Sequence, residues 1–450
     1  MARPNHGKFE FVMSAPNEKL SKENHSKIRR HVTRAVLEAR RKSGTCATAR
    51  KLQPVVRSIP LSGLEVLAAD CGLNPLDLSA LASIHLGPVA AASLHADPSQ
   101  LRRILSCQQA SYFSFIPARF SEVPVLEDAY RCLITVAHSL LVPTKKTNNK
   151  TILGYYGKSL RSLQNAVDDP TSRHTAETLC AIGILALFEI LNSSEGNLWG
   201  RHMRGASRLI QSRGPDSFTT EFDLALLVLL GPPMCAECLG SGRAVFLDDP
   251  AWREVLLDAI YPGNPFGVRS ALAISVLITM SKVPGLAKRT EEAIIANDRG
   301  ELVDFDLLVK DLHSVRTETL AWRRNFNITL INNVDTARVE QGCNPDKRFE
   351  LLGMTLVFHI IATRMLVCIS PRERRLLEEE VQNVSMELKQ LHQSVDYVGT
   401  TNSRAGFFLA QKATVADIAI ETNSVINGYD ETGIVDLMTF RQWWRERDAY

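Results

Sequence analysis

The amino-acid sequence predicts an all-α protein: a large, irregular multi-helix bundle preceded by a basic, partly flexible N-terminal arm. After Pro60, apolar residues recur with the 3.6-residue period of helices between stops that contain Gly or Pro. Strand patterns are few, since "KFEFVM" at 8–13 and "RAVFLD" at 243–248 are short and isolated. No repeat period is visible, which disfavours a regular solenoid.

Charge divides the chain near residue 60. Residues 1–60 contain 14 Lys or Arg and 4 Glu, whereas residues 61–450 contain 38 basic and 45 acidic residues. We therefore predict a basic arm at 1–60 and an all-helical body at 61–450, with a break near 341–347 that would divide the body into two lobes. A basic arm on an acidic body is typical of a segment that meets an anionic partner.

The cysteine content and the apolar segments of the chain indicate the cellular compartment in which it resides. The nine cysteines are odd in number and scattered over a long chain, which disfavours a disulfide scaffold and indicates a reducing compartment. The N-terminus has no stretch typical of a signal peptide. The best membrane candidate, Leu351–Ile369, contains His359 and Arg364, so we expect a buried core helix and no membrane partner.

The expected helices follow one another along the body. The segment "AETLCAIGILALFEILN" at 176–192 is apolar on all sides, which predicts a buried central helix. The other segments with helical periodicity are 75–87, 125–142, 152–167, 348–369 and the charged stretch 371–395.

The segment "NLWGRHMRGASRLIQSRGPDSF", at 197–218, is the most informative local pattern. Four apolar residues fall on one face of its helix: Trp199, Met203, Ala206 and Ile210. Gly214, followed by Pro215, should end the helix. Gly205 lowers helix propensity, so we expect it to permit the close approach of a neighbour.

Three arginines lie on another face of the same helix: Arg201, Arg204 and Arg208. They form either a solvated face or a face that binds an anion or a partner.

Several of these segments carry a family resemblance. They are "YYGKSLRSLQNAV", "LCAIGILALFEIL", "WGRHMRGASRLIQSRGP" and, later, "LDDPAWREVL". In order and rough spacing, over about residues 100–440, they resemble the fungus-specific transcription factor domain, the helical regulatory region found downstream of zinc binuclear clusters. The resemblance implies a nuclear regulator of transcription that is not an enzyme. Its partners would be other regulators, including a homo- or heterodimer partner, and control of secondary metabolism would fit the family.

The chain departs from the family in its N-terminal cysteines. Family members commonly carry six zinc-binding cysteines there, whereas residues 1–70 contain Cys46 alone. The chain therefore resembles a branch that lacks the zinc cluster, whose F-x-F and basic segments are matched by "FEFVMSAPNEKL" and "IRRHVTRAVLEARRK". Cys235 and Cys238 supply only half of a zinc site, so we expect structural cysteines in an apolar turn and no metal.

Motifs for catalysis or cofactor binding do not stand out. Dinucleotide, phosphate-loop, zinc-protease and serine-hydrolase motifs do not occur in the sequence. The pairs Asp168–Asp169 and Asp248–Asp249 each precede a proline, which predicts the start of a helix and not a magnesium site. We expect no cofactor. The alternative to a regulator is a helical small-molecule-binding or catalytic protein that does not act on chromatin.

The stretch "KIRRHVTRAVLEARRK", at 27–42, concentrates the positive charge of the arm. Its key basic residues are Arg29, Arg30, Arg34, Arg40, Arg41 and Lys42. Three interpretations stay open: a bipartite nuclear address for an import receptor, contact with phosphates, or a solvated amphipathic helix packed on the body. No element that could recognise base edges accompanies the stretch, so its binding to nucleic acid would be weak and non-specific. We favour the nuclear address.

Overall fold

The computed structural model describes residues 119, 123–141, 149–192, 198–332, 345–397, 403–429 and 433–445. The basic arm, the segment at 75–87 and most of the break expected near 341–347 lie outside these residues.

The described residues confirm the all-α prediction, with no strand among them. The α-helices in chain order are α1 (Pro124–Leu141), α2 (Asn149–Asp168), α3 (Ala176–Asn192), α4 (Leu198–Arg213), α5 (Glu221–Gly240), α6 (Pro250–Asp258), α7 (Ala271–Asp298), α8 (Asp306–Asn332), α9 (Pro345–Ile369), α10 (Arg374–Tyr397), α11 (Ser403–Glu421), α12 (Asn423–Ile426) and α13 (Leu437–Arg445). The weak strand signal at 243–248 ends in a 3₁₀ turn, Phe246–Asp248.

Helix α3 is the centre of the N-terminal part. It packs between α1 and α4, and α2 packs on α1. Every residue from Thr178 to Leu191 is buried, as the all-round apolar sequence predicts.

Helix α4 confirms the predicted apolar face but not the role of its glycine. Met203, Ala206 and Ile210 are buried, and the helix ends before Gly214, whose φ of 76° suits glycine. Gly205 is exposed, and a Cβ built on it would have no neighbouring atom within 4 Å. The expectation of a close approach there is wrong, because Gly205 lies on the exposed side of the helix among the arginines.

Close approach occurs instead at Gly353 of α9. A Cβ at this position would overlap Cδ2 of Leu409, a fully buried residue of α11. A larger residue than glycine would therefore force the Leu409 side chain to move within a packed core.

Two helices run through prolines that resemble stops in the sequence. Helix α5 continues through Pro232 and Pro233, and α7 continues through Pro284. Cys235 and Cys238 therefore lie within α5 and not in a turn, which corrects that expectation. Packing of the apolar surface of α5 against α4 and α7 outweighs the loss of two backbone hydrogen bonds.

Helix α9 is the centre of the C-terminal part. It packs against α7, α8, α10 and α11. Within the described ranges, three helices are long and apolar enough to cross a membrane, by length and composition only: Glu221–Gly240, Ala271–Asp298 and Lys347–Ile369. The apolar window of the third is 94% buried by the rest of the protein, which is the core position expected from its sequence.

The two Asp-Asp-Pro sequences serve different purposes. Asp249 caps α6 by accepting a hydrogen bond from the amide of Ala251, with Pro250 in the first turn, as predicted. Asp168 instead ends α2, and Asp169 accepts hydrogen bonds in the following turn from Thr171 and Ser172. The expected helix start is wrong at this second pair.

The two glycines allow a direct test of the packing. We predict that Gly205→Ala stabilises the protein by about 0.5–1 kcal/mol, because alanine loses less backbone entropy in a helix. Gly353→Ala should destabilise it by about 1–3 kcal/mol, because the added methyl group overpacks α9 against α11. Urea unfolding followed by circular dichroism measures both. Equal effects of the two substitutions would contradict the packing described for Gly353.

Candidate functional site

Three of the segments that carry the family resemblance meet at one buried polar cluster. Tyr156 of α2 donates a hydrogen bond from its hydroxyl to Oε1 of Glu189 on α3. His202 of α4 lies beside the same carboxylate, with Nε2 4.0 Å from Oε1. The Tyr156 ring stacks on Phe188, with a centroid separation of 4.6 Å. Each of the other two segments therefore supplies one residue that faces Glu189, which is 4% exposed.

Burial sets the protonation states of this cluster. It lowers the pKa of His202 to about 4, so the imidazole is neutral at physiological pH. Burial and the hydrogen bond to Glu189 raise the pKa of Tyr156 well above its usual value. Burial also raises the pKa of the nearby Cys132 thiol to about 12. Neither the tyrosine nor the thiol is ionised near neutral pH, so the arrangement suits a structural tie between helices better than nucleophilic chemistry.

The three arginines predicted on one face of α4 are all exposed. Arg204 pairs with Glu237 of α5, with Nη2 2.9 Å from Oε1, and Arg243 contacts the other oxygen of the same carboxylate. Glu237 is nearly buried, so Arg204 compensates a charge of this chain and is not free for an external anion. Arg201 and Arg208 stay exposed beside it.

A hydroxyl, an imidazole and a carboxylate are aligned between α8, α9 and α10. Nδ1 of His359 lies 2.7 Å from the hydroxyl oxygen of Thr319, and its Nε2 lies 2.6 Å from Oε1 of Glu380. Arg316 contacts both oxygens of Glu380. The set has the composition of a hydrolase triad.

Burial and hydrogen bonding oppose a catalytic role for this set. Thr319 is 2% exposed and His359 is 0% exposed, so a substrate has no access to them. The Thr319 hydroxyl also donates a hydrogen bond to the carbonyl oxygen of Arg316 at 2.7 Å. Its proton therefore points to the backbone and not to the imidazole that would have to remove it. The set connects three helices.

Three consecutive glutamates of α10 occupy three environments. Glu378 is buried and pairs with the buried Arg364 of α9 at 3.0 Å, and burial raises its pKa to about 7 against the opposing charge of Arg364. Glu379 is exposed. Burial would also raise the pKa of Glu380, but the hydrogen bonds and charges of His359 and Arg316 lower it to about 2.

The Cys-x-x-Cys sequence has no set of metal ligands around it in the described structure. Cys235 and Cys238 are buried thiols, and burial raises the pKa of Cys238 to about 11. No group of three or more His, Cys, Asp or Glu residues arranged to hold a metal ion occurs in the part of the chain that the structure describes.

The partners of these buried groups were not predicted from the sequence. One feature of the sequence did indicate which residues would need partners. A Glu within the apolar run of α3, and a His and an Arg within that of α9, must find hydrogen-bond partners when buried. The sequence indicates which residues need partners, but those partners are distant in the chain: 40 residues separate His359 from Thr319, and 55 separate Arg364 from the carbonyl group of Ala419.

Comparison with known proteins agrees with the resemblance over part of the chain. Residues 129–230 match the family model of the fungal specific transcription factor domain. A curated protein of Emericella nidulans, described as uncharacterized, is 25% identical over 239 residues, which cover 50% of each chain. The chain thus spans about half the length of this relative. No solved structure matches the chain.

The matched range contains the three segments that meet at Glu189. The fourth segment of the resemblance, "LDDPAWREVL" at 247–256, lies beyond it.

Adjacent tyrosines of α2 test the Glu189 cluster. We predict that Tyr156→Phe destabilises the protein by about 1–3 kcal/mol, because the buried carboxylate loses its hydrogen-bond donor. Tyr155→Phe is the matched control, since Tyr155 is exposed, and it should change the free energy of unfolding by less than about 0.5 kcal/mol. Urea unfolding of the two variants side by side makes the comparison; indistinguishable stabilities would show that the cluster contributes nothing.

Substitutions of the adjacent Glu379 and Glu380 of α10 test the contacts of His359, through the pH dependence of the free energy of unfolding. The folded pKa of Glu380, about 2, lies below the reference value of 4.5, so its contribution to stability is present above about pH 4.5 and lost as pH falls towards 2. We predict that the destabilisation caused by Glu380→Gln is smaller at about pH 3.5 than at about pH 5.5, by about 1 kcal/mol.

Glu379→Gln removes the same charge from an exposed neighbour and controls for the general effect of pH. Urea unfolding at both pH values measures the differences. A Glu380→Gln effect that does not change with pH, or that equals the effect of Glu379→Gln, would contradict the assignment.

Proposed function

We propose that this chain, which carries a fungal specific transcription factor domain at residues 129–230, is a regulator of transcription that acts in the nucleus through its helical body. The observation that carries the proposal is the family match. The geometry supports it, because the matched segments converge on one cluster and form the core of a helical bundle around α3. Control of a secondary-metabolite or other metabolic gene cluster is the biological role that fits the family.

Contact with specific DNA sites passes through partners in this proposal. Residues 1–70 contain one cysteine, so they do not supply the thiolates of a zinc cluster. Other transcription regulators, as homo- or heterodimer partners, would provide sequence recognition, and direct nucleic-acid binding would be weak and governed by salt. The exposed Arg201 and Arg208 are candidate residues for a partner face.

Catalysis is not part of the proposal. The one triad-like set in the described part of the body is enclosed, and its hydroxyl proton is committed to a backbone carbonyl. The second candidate function is a helical protein that binds a small molecule away from chromatin, and a cleft between α5, α7, α9 and α11 favours it.

Delivery to the nucleus is assigned to the basic stretch at 27–42. Arg29–Arg30 and the group Arg40, Arg41 and Lys42 stand at its two ends, separated as a bipartite address requires. At 50.0 kDa, the chain is large enough for an address to matter for nuclear entry.

A fluorescent fusion of the full chain tests the proposed location. We predict nuclear accumulation, and a shift towards the cytoplasm when Arg40, Arg41 and Lys42 are all changed to Ala. The matched control changes Arg50, Lys51 and Arg57 to Ala, which removes the same charge from the same arm and should leave the fusion nuclear. A wild-type fusion excluded from the nucleus would favour the second candidate function. Equal behaviour of the two triple variants would refute the address.

A further inference from the structure

The outer face of α2 is apolar. Leu153, Gly157, Leu160 and Gln164 follow one another at intervals of four, three and four residues, which places them on one face of the helix. Leu153 and Leu160 are 52% and 38% exposed, although both are large apolar residues. Large apolar side chains that share one face and meet solvent are typical of a surface that a partner covers.

The outer face of α4 has the same spacing but is basic. Arg201, Gly205, Arg208 and Ser212 follow one another at the same intervals, and all four are exposed. Arg204, on the side of α4 that faces α5, already pairs with a glutamate there. Gly205 leaves space between the two outer arginines, since a Cβ built on it would have no neighbouring atom within 4 Å.

Two contacts hold these faces side by side. Tyr156 lies one turn from each exposed leucine, and it meets His202 of α4 at the carboxylate of Glu189. Nε2 of His174, in the turn after α2, lies 3.0 Å from the hydroxyl oxygen of Ser212, near the end of α4. The two helices therefore run in the same direction, and their adjacent outer faces form one surface, which we call the α2–α4 surface.

The charge of the two helices is asymmetric. Together they contain seven Lys or Arg residues and one acidic residue, Asp168, at the end of α2. Arg161, Arg201 and Arg208 form no ion pair within the described part of the chain. Arg161 also borders the apolar face, because a Cβ built on Gly157 would lie 3.7 Å from its Nη1. An acidic partner would therefore gain charge complementarity without displacing an existing ion pair of these arginines.

An amphipathic helix fits this surface better than nucleic acid does. Phosphate groups would contact the arginines but leave Leu153 and Leu160 in water, whereas apolar residues of a helix would cover them. The face from Leu153 to Gln164 spans about 17 Å at about 1.5 Å per residue, which matches about three turns of a partner helix.

We propose that the α2–α4 surface binds a short amphipathic helix of a partner protein, with large apolar residues on one side and Asp or Glu residues along the adjacent flank. The apolar side chains pack on Leu153 and Leu160 and over Gly205, and the carboxylates pair with Arg201 and Arg208. This inference rests on the proposed function, because it gives the chemistry of the partner that the regulator recruits through α4.

Designed peptides test the surface on the purified full chain. The probe is a fluorescein-labelled helical peptide of about 15 residues, with leucines on one face and glutamates on the flanks. One comparison peptide has Lys in place of every Glu. The other has the composition of the probe, with its leucines distributed around the helix. Fluorescence anisotropy at about 0.15 M salt, where long-range charge effects are screened, gives each binding curve.

We expect the probe to bind saturably and both comparison peptides to bind at least about tenfold more weakly. Two double variants remove the two halves of the surface. Arg201→Gln combined with Arg208→Gln removes the charge, and Leu153→Gln combined with Leu160→Gln removes the apolar contacts. Each should weaken binding of the probe by at least about fivefold.

Two matched double variants serve as controls. Arg299→Gln combined with Arg324→Gln removes the same charge from exposed positions at the end of α7 and on α8. Ile328→Gln combined with Ile331→Gln removes two exposed apolar side chains from α8. Both should leave binding of the probe unchanged, and circular dichroism verifies that all four variants keep the helical fold.

Four results would overturn the proposal: no saturable binding of the probe, a comparison peptide that binds as tightly, equal effects of the surface variants and their controls, or duplex DNA that competes with the probe through Arg201 and Arg208. The last result would assign these arginines to phosphate contact. A chain that is nuclear but does not bind the probe would reject this surface alone, whereas a chain excluded from the nucleus would reject the proposed function whatever the peptides show.

Discussion

The body depends on polar groups that two buried helices carry into the core. Glu189 on α3, and His359 and Arg364 on α9, are almost completely removed from water. A buried charge or polar group without partners costs several kcal/mol, on the order of the whole stability margin of a domain. The partners come from the surrounding helices, so each contact also fixes the position of a neighbour: Tyr156 for α2, Thr319 for α8, and Glu378 and Glu380 for α10.

Helical periodicity predicted most of the fold because it depends only on local spacing. The apolar runs at 176–192 and 348–369 became the two central helices. Glycine and proline were less informative, since their effect depends on what surrounds them. Gly205 faces solvent, whereas Gly353 permits a close approach, and α5 continues through two prolines because tertiary packing compensates for the lost backbone hydrogen bonds.

The candidate sites were less predictable than the helices because their parts are distant in sequence. Helix α10 contains three consecutive glutamates that the sequence does not distinguish. Glu378 is buried beside Arg364, Glu379 is exposed and Glu380 contacts His359. Only the order of helices around α9 distinguishes them. The family resemblance was more informative, since three of its four segments contain the residues of the Glu189 cluster. It did not identify Tyr156, Glu189 and His202 as the residues that meet there.

The central proposal is that this helical body regulates transcription and that partner proteins recognise the specific DNA sites. Chromatin immunoprecipitation of the tagged full chain, combined with transcript profiling of a deletion strain, tests it most directly. The account predicts enrichment at promoters of genes whose transcripts change in the deletion strain, with the enrichment lost when the partner that recognises those sites is removed. Enrichment no greater than in an untagged strain, together with an unchanged transcript profile, would contradict the claim.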